Sequence, residues 1–158
     1  IFSYPQSLKI IPQESALIFG IPLSILGYLL YLALLAPLAV RMVKEEKMTI
    51  ERKFVLFALL ALISFLFLPK MHERYLYPFF PLMSIALGFS KKWLWFFVSI
   101  SVIHFLNLFI SWDPGYINFI PYSLIENDWC KWGLSIALLG VFLALYKKAL
   151  KTEVGSQK

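Results

Sequence analysis

Long uncharged apolar runs alternate with short charged segments along this chain. The first run extends from Ser15 to Val40 without a single Asp, Glu, Lys or Arg. A helix needs about 20 predominantly apolar residues to cross the hydrocarbon core of a bilayer, so this run is long enough for one span over residues 15–40. Four further apolar runs follow. They predict spans over residues 54–68, 75–89, 93–112 and 132–146.

Features inside these runs refine the predicted helices. Pro22 is expected to kink the first helix near its start, because proline removes a backbone donor and clashes with the preceding turn. The run over 93–112 has Trp at both ends, which is typical of anchoring at the two membrane interfaces. Within it, Ser101, His104, Asn107 and Ser111 recur at helical spacing. We expect this polar stripe to face protein, as interhelical hydrogen-bonding groups or as the lining of a substrate cavity.

The composition supports the membrane interpretation. Apolar residues make up 60% of the 158 residues and aromatic residues 18%, whereas soluble domains average about 45 to 50% apolar residues. The single cysteine, Cys130, excludes an internal disulfide. We therefore predict an all-α, polytopic membrane protein of about five transmembrane helices, forming one helical region over residues 1–158.

The charges predict an orientation. Segments 41–53, 90–92 and 147–158 carry eleven of the 15 Lys and Arg residues. By the positive-inside rule these segments are cytoplasmic, which places the N-terminus outside and the C-terminus inside. The net charge of +6 thus indicates a membrane rather than a nucleic-acid partner. Because five spans with an outer N-terminus and no leader imply preceding helices, we expect the chain to be part of a longer protein.

One short segment breaks the apolar pattern. Residues 69–78, PKMHERYLYP, hold four ionisable side chains between two apolar runs. Placing three charges at mid-bilayer would cost on the order of 8 to 10 kcal/mol, so they must lie at an interface or in a water-filled pocket. Two interpretations stay open from the charges alone: a functional site, or a short charged turn between two helices.

The run PKMHERYLYPFFPL resembles the His-Glu-Arg/Lys motif of the GT-C superfamily of polyprenyl-phosphate-sugar-dependent glycosyltransferases. It is most similar to the motif of prokaryotic mannosyltransferases related to the enzyme that adds the second mannose of GPI anchors. In that family the motif occurs late in the chain, on the extracytoplasmic face and near the lipid-phosphate donor. The resemblance implies the C-terminal part of a GT-C fold, in the cell membrane if the protein is prokaryotic, and a hexosyltransferase, specifically a mannosyltransferase, of glycan biosynthesis.

The resemblance implies a polyprenyl-phosphate-linked sugar as donor and a lipid or glycan as acceptor. Arg74 can meet the donor phosphate with a fork of hydrogen-bond donors, and Lys70 can add a point charge. His72 can donate a hydrogen bond to a phosphate oxygen. Glu73 is expected to hold Arg74 or Lys70 in place, or to contact a sugar hydroxyl. Tyr75 completes the expected donor-binding set.

The expected catalytic base is missing from this sequence. GT-C enzymes use an acidic residue in their first extracytoplasmic loop, so no catalytic residue is assigned here and the segment alone is expected to be inactive. We predict no cofactor, and the sequence contains no metal-ligand spacing. The binding of a divalent metal ion is left open. The alternative functions are a transporter or flippase subunit that binds a lipid head group without chemistry, and a structural membrane module.

Overall fold

A computed structural model describes residues 17–18, 21–45, 48–68, 73–111 and 128–151. This part of the chain is helical apart from one antiparallel pair of two-residue strands, in which Leu17 lies opposite Pro22 and Ile18 opposite Ile21. The predicted all-α class is confirmed. The elements are β1 (Leu17–Ile18), β2 (Ile21–Pro22), α1 (Leu23–Lys44), α2 (Ile50–Phe67), a 3-10 turn (Glu73–Leu76), α3 (Phe79–Phe89), a second 3-10 turn (Lys91–Trp93), α4 (Leu94–Ser111) and α5 (Asp128–Leu150).

Helix α1 differs from the predicted span over residues 15–40 at both ends. The predicted kink at Pro22 is wrong, because Pro22 precedes the helix as its N-cap, with φ −57° and ψ 135°. A proline has no N–H to contribute to the helix interior, and the edge of the first turn is where that loss costs least. At the other end the helix continues through Arg41 to Lys44, where basic side chains favour the helix C-terminus.

The charged segment 41–53 is therefore not one long loop. Helix α2 begins at Ile50, and the Thr49 hydroxyl accepts a hydrogen bond from the Arg52 N–H at 3.4 Å, which caps the first turn. Glu51 adds an acidic group to that turn. Helix α2 is the central element of the bundle, and it has a run of fully buried side chains: Val55, Leu56, Ala58, Leu59, Leu62 and Ile63.

The predicted helix over residues 75–89 is wrong in its first turn. Residues Glu73–Leu76 form a 3-10 turn, and α3 starts at Phe79 after Pro78. Proline cannot donate to the carbonyl four residues earlier and disfavours helical geometry in the residue before it, so a continuous helix breaks there. The eleven residues of α3 extend about 16 Å, roughly half a bilayer core. Helices α2 and α3 form a hairpin with Phe79, Met83 and Ala86 buried.

Helices α4 and α5 close the bundle. The structure has α4 at residues 94–111, close to the predicted 93–112, whereas α5 extends about one turn beyond the predicted 132–146 at each end. Helix α5 packs on α2 and α4, with Phe142 and Leu145 fully buried. The Phe142 ring meets the Phe67 ring of α2 with centroids 5.8 Å apart. Core packing thus joins segments far apart in the sequence.

Three basic segments meet at one end of the bundle, which we call the basic end: the end of α1 with the start of α2, the turn over residues 90–93, and the end of α5. The Ala149 carbonyl accepts hydrogen bonds from Arg41 Nη1 at 3.1 Å and Arg52 Nη2 at 3.3 Å. Arg52 also forms an ion pair with Glu45 at 2.5 Å. Two guanidinium groups therefore satisfy a terminal carbonyl of α5, where a helix has no internal donors left.

A second set of contacts joins the Lys91–Trp93 turn to the same end. Glu51 accepts a hydrogen bond from Trp93 Nε1 and forms an ion pair with Lys92 at 3.2 Å. Lys148 of α5 donates to the Lys92 carbonyl at 3.0 Å, and its ammonium lies 5.1 Å from the centre of the Trp93 ring. A buried Trp and the ends of α2 and α5 thereby fix the turn that precedes α4.

Two helices in the described part of the chain are long and apolar enough to cross a membrane: Ser24–Lys44 and Trp129–Leu150. Only 6% of the first and 22% of the second is buried inside the protein. Apolar side chains that stay exposed along a whole helix are typical of a lipid-facing surface rather than of a soluble core. Helix α3, Phe79–Phe89, is apolar but shorter.

Candidate functional site

Five residues predicted to bind the donor lie in and before the 3-10 turn Glu73–Leu76 in the sequence. Glu73, Arg74 and Tyr75 follow one another in this turn. Lys70 and His72 lie outside the described residues. The assignment of these five residues to a donor site therefore stays a prediction, and the structure contributes the position and the surroundings of the turn.

One buried leucine anchors the turn. Leu76 is fully buried, as is Phe79 at the start of α3, and the turn packs against α2 and α4. Tyr75 and Tyr77 on either side of Leu76 are 53% and 49% exposed. The buried Leu76 side chain thus anchors the turn, while Tyr75 and Tyr77 on either side of it keep about half of their surface exposed.

A buried histidine, His104 of α4, lies next to Tyr77, the residue that follows the turn. Only 4% of the His104 surface is exposed. Three rings surround it. The Tyr77 ring lies 5.9 Å away at 87°, the Phe80 ring 5.3 Å away at 35°, and the Phe65 ring 6.4 Å away at 85°. His104 thus packs against α2, α3 and the residues that follow the 3-10 turn.

The predicted polar stripe on α4 is right in one respect and wrong in another. His104 faces protein, as expected, and Ser101 and Asn107 are half-buried. Ser101, however, donates its hydroxyl to the Phe97 carbonyl of its own helix at 2.7 Å rather than to a neighbouring helix. A serine in a helix commonly satisfies itself in this way, because the carbonyl four residues earlier is within reach of its short side chain.

The contact between Tyr77 and His104 relates the residue that follows the turn to a level along α4. His104 lies seven residues before the end of α4 at Ser111, which corresponds to about 10 Å of helix. The Tyr77 ring therefore lies beside the middle of α4, about that distance from the level of Ser111. The short α3 agrees with this level, because its 11 residues extend less far from the basic end than the 18 residues of α2 or of α4.

A close approach of α1 to α2 lies near the same place. A Cβ atom added at Gly27 would lie 2.5 Å from the Phe67 carbonyl oxygen. Phe67 is the last residue of α2, and the chain leaves it toward the PKMHERYLYP segment. This contact of Gly27 was not predictable from the sequence, because a glycine inside an apolar run shows no periodicity that would reveal which backbone it touches.

Within the described ranges, no group of three or more His, Cys, Asp or Glu side chains is arranged to hold a metal ion. The carboxylates with described partners there are Glu45 and Glu51, and both lie at the basic end. The turn at Glu73–Leu76 is at the other end of α2. The described ion pairs that involve a carboxylate therefore lie at the basic end, away from this turn.

No protein-family model, curated protein or solved structure was found to match this chain.

Proposed function

We propose that this chain belongs to a multi-pass membrane glycosyltransferase that moves a sugar, mannose by the resemblance, from a polyprenyl-phosphate donor to a lipid or glycan acceptor. The observation that carries the proposal is the 3-10 turn Glu73–Leu76, which we call the HERYL turn after the motif that it completes. It lies between two apolar helices, and the ring of the following Tyr77 lies beside the middle of α4. Charged residues at such a depth require a polar partner or water. An anionic lipid phosphate is a partner of the required sign.

The proposed membrane arrangement follows from the helices. Helices α1 and α5 are the two spans with the length and the exposed apolar surface that crossing requires. Helix α4 and the α2–α3 hairpin complete the layer, and α3 is long enough for only about half of its thickness. With the basic end on the cytoplasmic side, the HERYL turn opens toward the extracytoplasmic side. A lipid-tethered donor approaches such a turn with its polyprenyl chain still in the bilayer.

The proposed chemistry is electrostatic. As the acceptor hydroxyl attacks the anomeric carbon, the bond from that carbon to the phosphate oxygen breaks and negative charge collects on the leaving lipid phosphate. Arg74 meets that charge with two parallel N–H donors, Lys70 adds a second cation and His72 a hydrogen bond. Glu73 holds the cations in place. The hydroxyl proton passes to a general base that this proposal leaves unassigned.

The apolar surroundings of the turn favour this role. Leu76 in the turn and Phe79 after it are fully buried, and charges next to such an apolar core would attract each other more strongly than in bulk water. The exposed rings of Tyr75 and Tyr77 are amphipathic, with an apolar face and a hydroxyl. Such rings suit the boundary between a phosphate head group and its hydrocarbon chain.

The test is substitution of Arg74 in the full-length protein, assayed in membranes with radiolabelled polyprenyl-phosphate-mannose. Removing one transition-state donor typically lowers the rate by about 100- to 1000-fold, so we expect a loss of that size for Arg74→Ala. Arg74→Lys should recover part of the rate, because a point charge lacks the bidentate fork. Lys91→Ala, at the basic end, is the charge-matched control and should keep full transfer activity.

The result also separates the proposal from its alternative. Full transfer activity in Arg74→Ala would remove Arg74 from the site. If the wild-type protein captures a photoactivatable polyprenyl phosphate and speeds its passage across reconstituted vesicles, but transfers no sugar to any acceptor, the protein is a lipid transporter or flippase subunit.

A further inference from the structure

The cations at the basic end fall into two groups. Arg41, Arg52, Lys92 and Lys148 hold the helix ends together through the Ala149 carbonyl, Glu45, Glu51 and the Lys92 carbonyl. Outside them is a second group of exposed lysines, and none of their ammonium groups has an ion pair or hydrogen bond to another described residue. This outer group, the lysine rim, consists of Lys44, Lys53, Lys91, Lys147 and Lys151.

The lysine rim is assembled by the fold. Its members come from the end of α1, the start of α2, the 3-10 turn before α4 and the end of α5. The contacts of Arg41 and Arg52 with Ala149, and of Lys148 with the Lys92 carbonyl, bring these four places together. Separate basic segments of the sequence therefore become one positively charged surface.

The nearby carboxylates leave that surface positive. Glu45 is paired with Arg52, and Glu51 with Lys92 and the Trp93 indole. Among the described residues at this end, both carboxylates thus serve the inner contacts and neither neutralises the rim. A cluster of five lysines whose side chains are unpaired among the described residues attracts anions, and such basic clusters are typical of sites that bind anionic lipid head groups.

Exposed apolar side chains lie beside the rim, and we call them the apolar belt. They favour a phospholipid over a nucleic acid as the anion that the rim binds. Val43, next to Lys44, is 81% exposed, and Trp95, close to Lys91, is 73% exposed. Leu143, one turn from Lys147, is exposed as well. A nucleic acid would leave these apolar side chains in water, whereas a phospholipid places its phosphate on the lysines and its acyl chains along the belt. The Trp at the border is the residue type that favours the head-group level of a bilayer.

We infer that the lysine rim is a binding surface for anionic phospholipid head groups, distinct from the HERYL turn at the other end of the bundle. The inference rests on the membrane insertion contained in the proposed function, but it does not depend on sugar transfer. Because the rim is built from four helix ends, a bound anionic lipid would hold them together and relieve the repulsion among the five lysines.

The experiment uses the full-length protein in vesicles of phosphatidylcholine that contain spin-labelled phosphatidylglycerol or spin-labelled phosphatidylcholine. The motionally restricted fraction of each probe gives its relative association constant with the protein. A lysine near an anionic head group is expected to favour phosphatidylglycerol by about fivefold. This preference should fall toward one at 1 M salt, a concentration that shortens the screening length to about 3 Å.

The variant K44Q/K53Q/K91Q/K147Q/K151Q should lose the preference, and its matched control with Arg at the same five positions should keep it. Equal restriction of both probes by the wild-type protein, or an unchanged preference in the Gln variant, would overturn the inference. Displacement of the lipid by inorganic phosphate at constant ionic strength would also overturn it, in favour of a free-phosphate site. Absence of any restricted lipid would instead refute membrane insertion, and the inference would fall with it.

Discussion

The imidazole of His104 stands edge-on to the ring of Tyr77, with the ring centroids 5.9 Å apart at an angle of 87°. This contact links the middle of α4 to the residue that follows the HERYL sequence. It places the Tyr77 ring beside the middle of α4, seven residues before the end of that helix at Ser111. A stability measurement can test whether the contact positions the turn.

Replacing His104 with Ala should open a cavity among the rings of Tyr77, Phe80 and Phe65. We expect a loss of about 2 to 4 kcal/mol in the free energy of unfolding, as for other large-to-small core substitutions. A double-mutant cycle with Tyr77→Ala should give a coupling energy of about 0.5 to 1.5 kcal/mol. The measurement is denaturant unfolding in detergent, followed by circular dichroism.

The control for this cycle is Val102→Ala, on an exposed face of the same helix, which should change the free energy of unfolding by no more than about 0.5 kcal/mol. A coupling energy near zero between His104 and Tyr77 would show that the two rings are neighbours without energetic linkage, and the positioning role would be withdrawn.

Gly27→Ala should force α1 away from the end of α2, because the new methyl group would lie 2.5 Å from the Phe67 carbonyl oxygen, a backbone atom. Overpacking of this kind costs about 1 to 3 kcal/mol. Gly140→Ala is the matched control: no atom lies within 4 Å of its added Cβ. There the gain in helix propensity should stabilise the protein by up to about 1 kcal/mol. Equal unfolding midpoints for the two variants would contradict the close approach at Gly27.

Tyr146→Phe should remove the hydrogen bond from the Tyr146 hydroxyl to the Leu34 carbonyl, which is 2.8 Å long. Leu34 lies three residues before Pro37, in a turn that Pro37 weakens because it cannot donate a backbone hydrogen bond. We expect a loss of about 0.5 to 1.5 kcal/mol in the free energy of unfolding. Tyr28→Phe, at an exposed position of α1, is the control. If Tyr146→Phe had the same free energy of unfolding as Tyr28→Phe, the hydrogen bond would contribute nothing beyond what water or lipid can replace.

The orientation of the bundle can be tested by labelling. In a Cys130→Ser background, a cysteine within residues 113–127 should react with an impermeant thiol reagent added outside intact cells, and a cysteine at position 46 should react only after the membrane is opened. The physical reason is the positive-inside rule, applied to the basic end. The reverse pattern would invert the bundle and put the HERYL turn on the cytoplasmic face.

The order of apolar and charged residues by itself determined the helical class and the approximate positions of the α-helices in the described part of the chain. It also indicated which segments are basic. These properties are local: a run of apolar residues between charged segments favours a buried or lipid-facing helix whatever its neighbours are. The HERYL resemblance and the proposed roles of Lys70, His72, Glu73, Arg74 and Tyr75 likewise come from the sequence alone, and they stay predictions.

The tertiary structure decided what depends on contacts between distant segments. Pro22 and Pro78 lie before helices rather than inside them, because backbone geometry on both sides of each proline selects the helix start. The Ala149 carbonyl is bound by Arg41 and Arg52, more than ninety residues away along the chain, and this packing creates the lysine rim. No periodicity in the sequence reports such pairings, since it records which face of a helix is apolar but not which element covers that face.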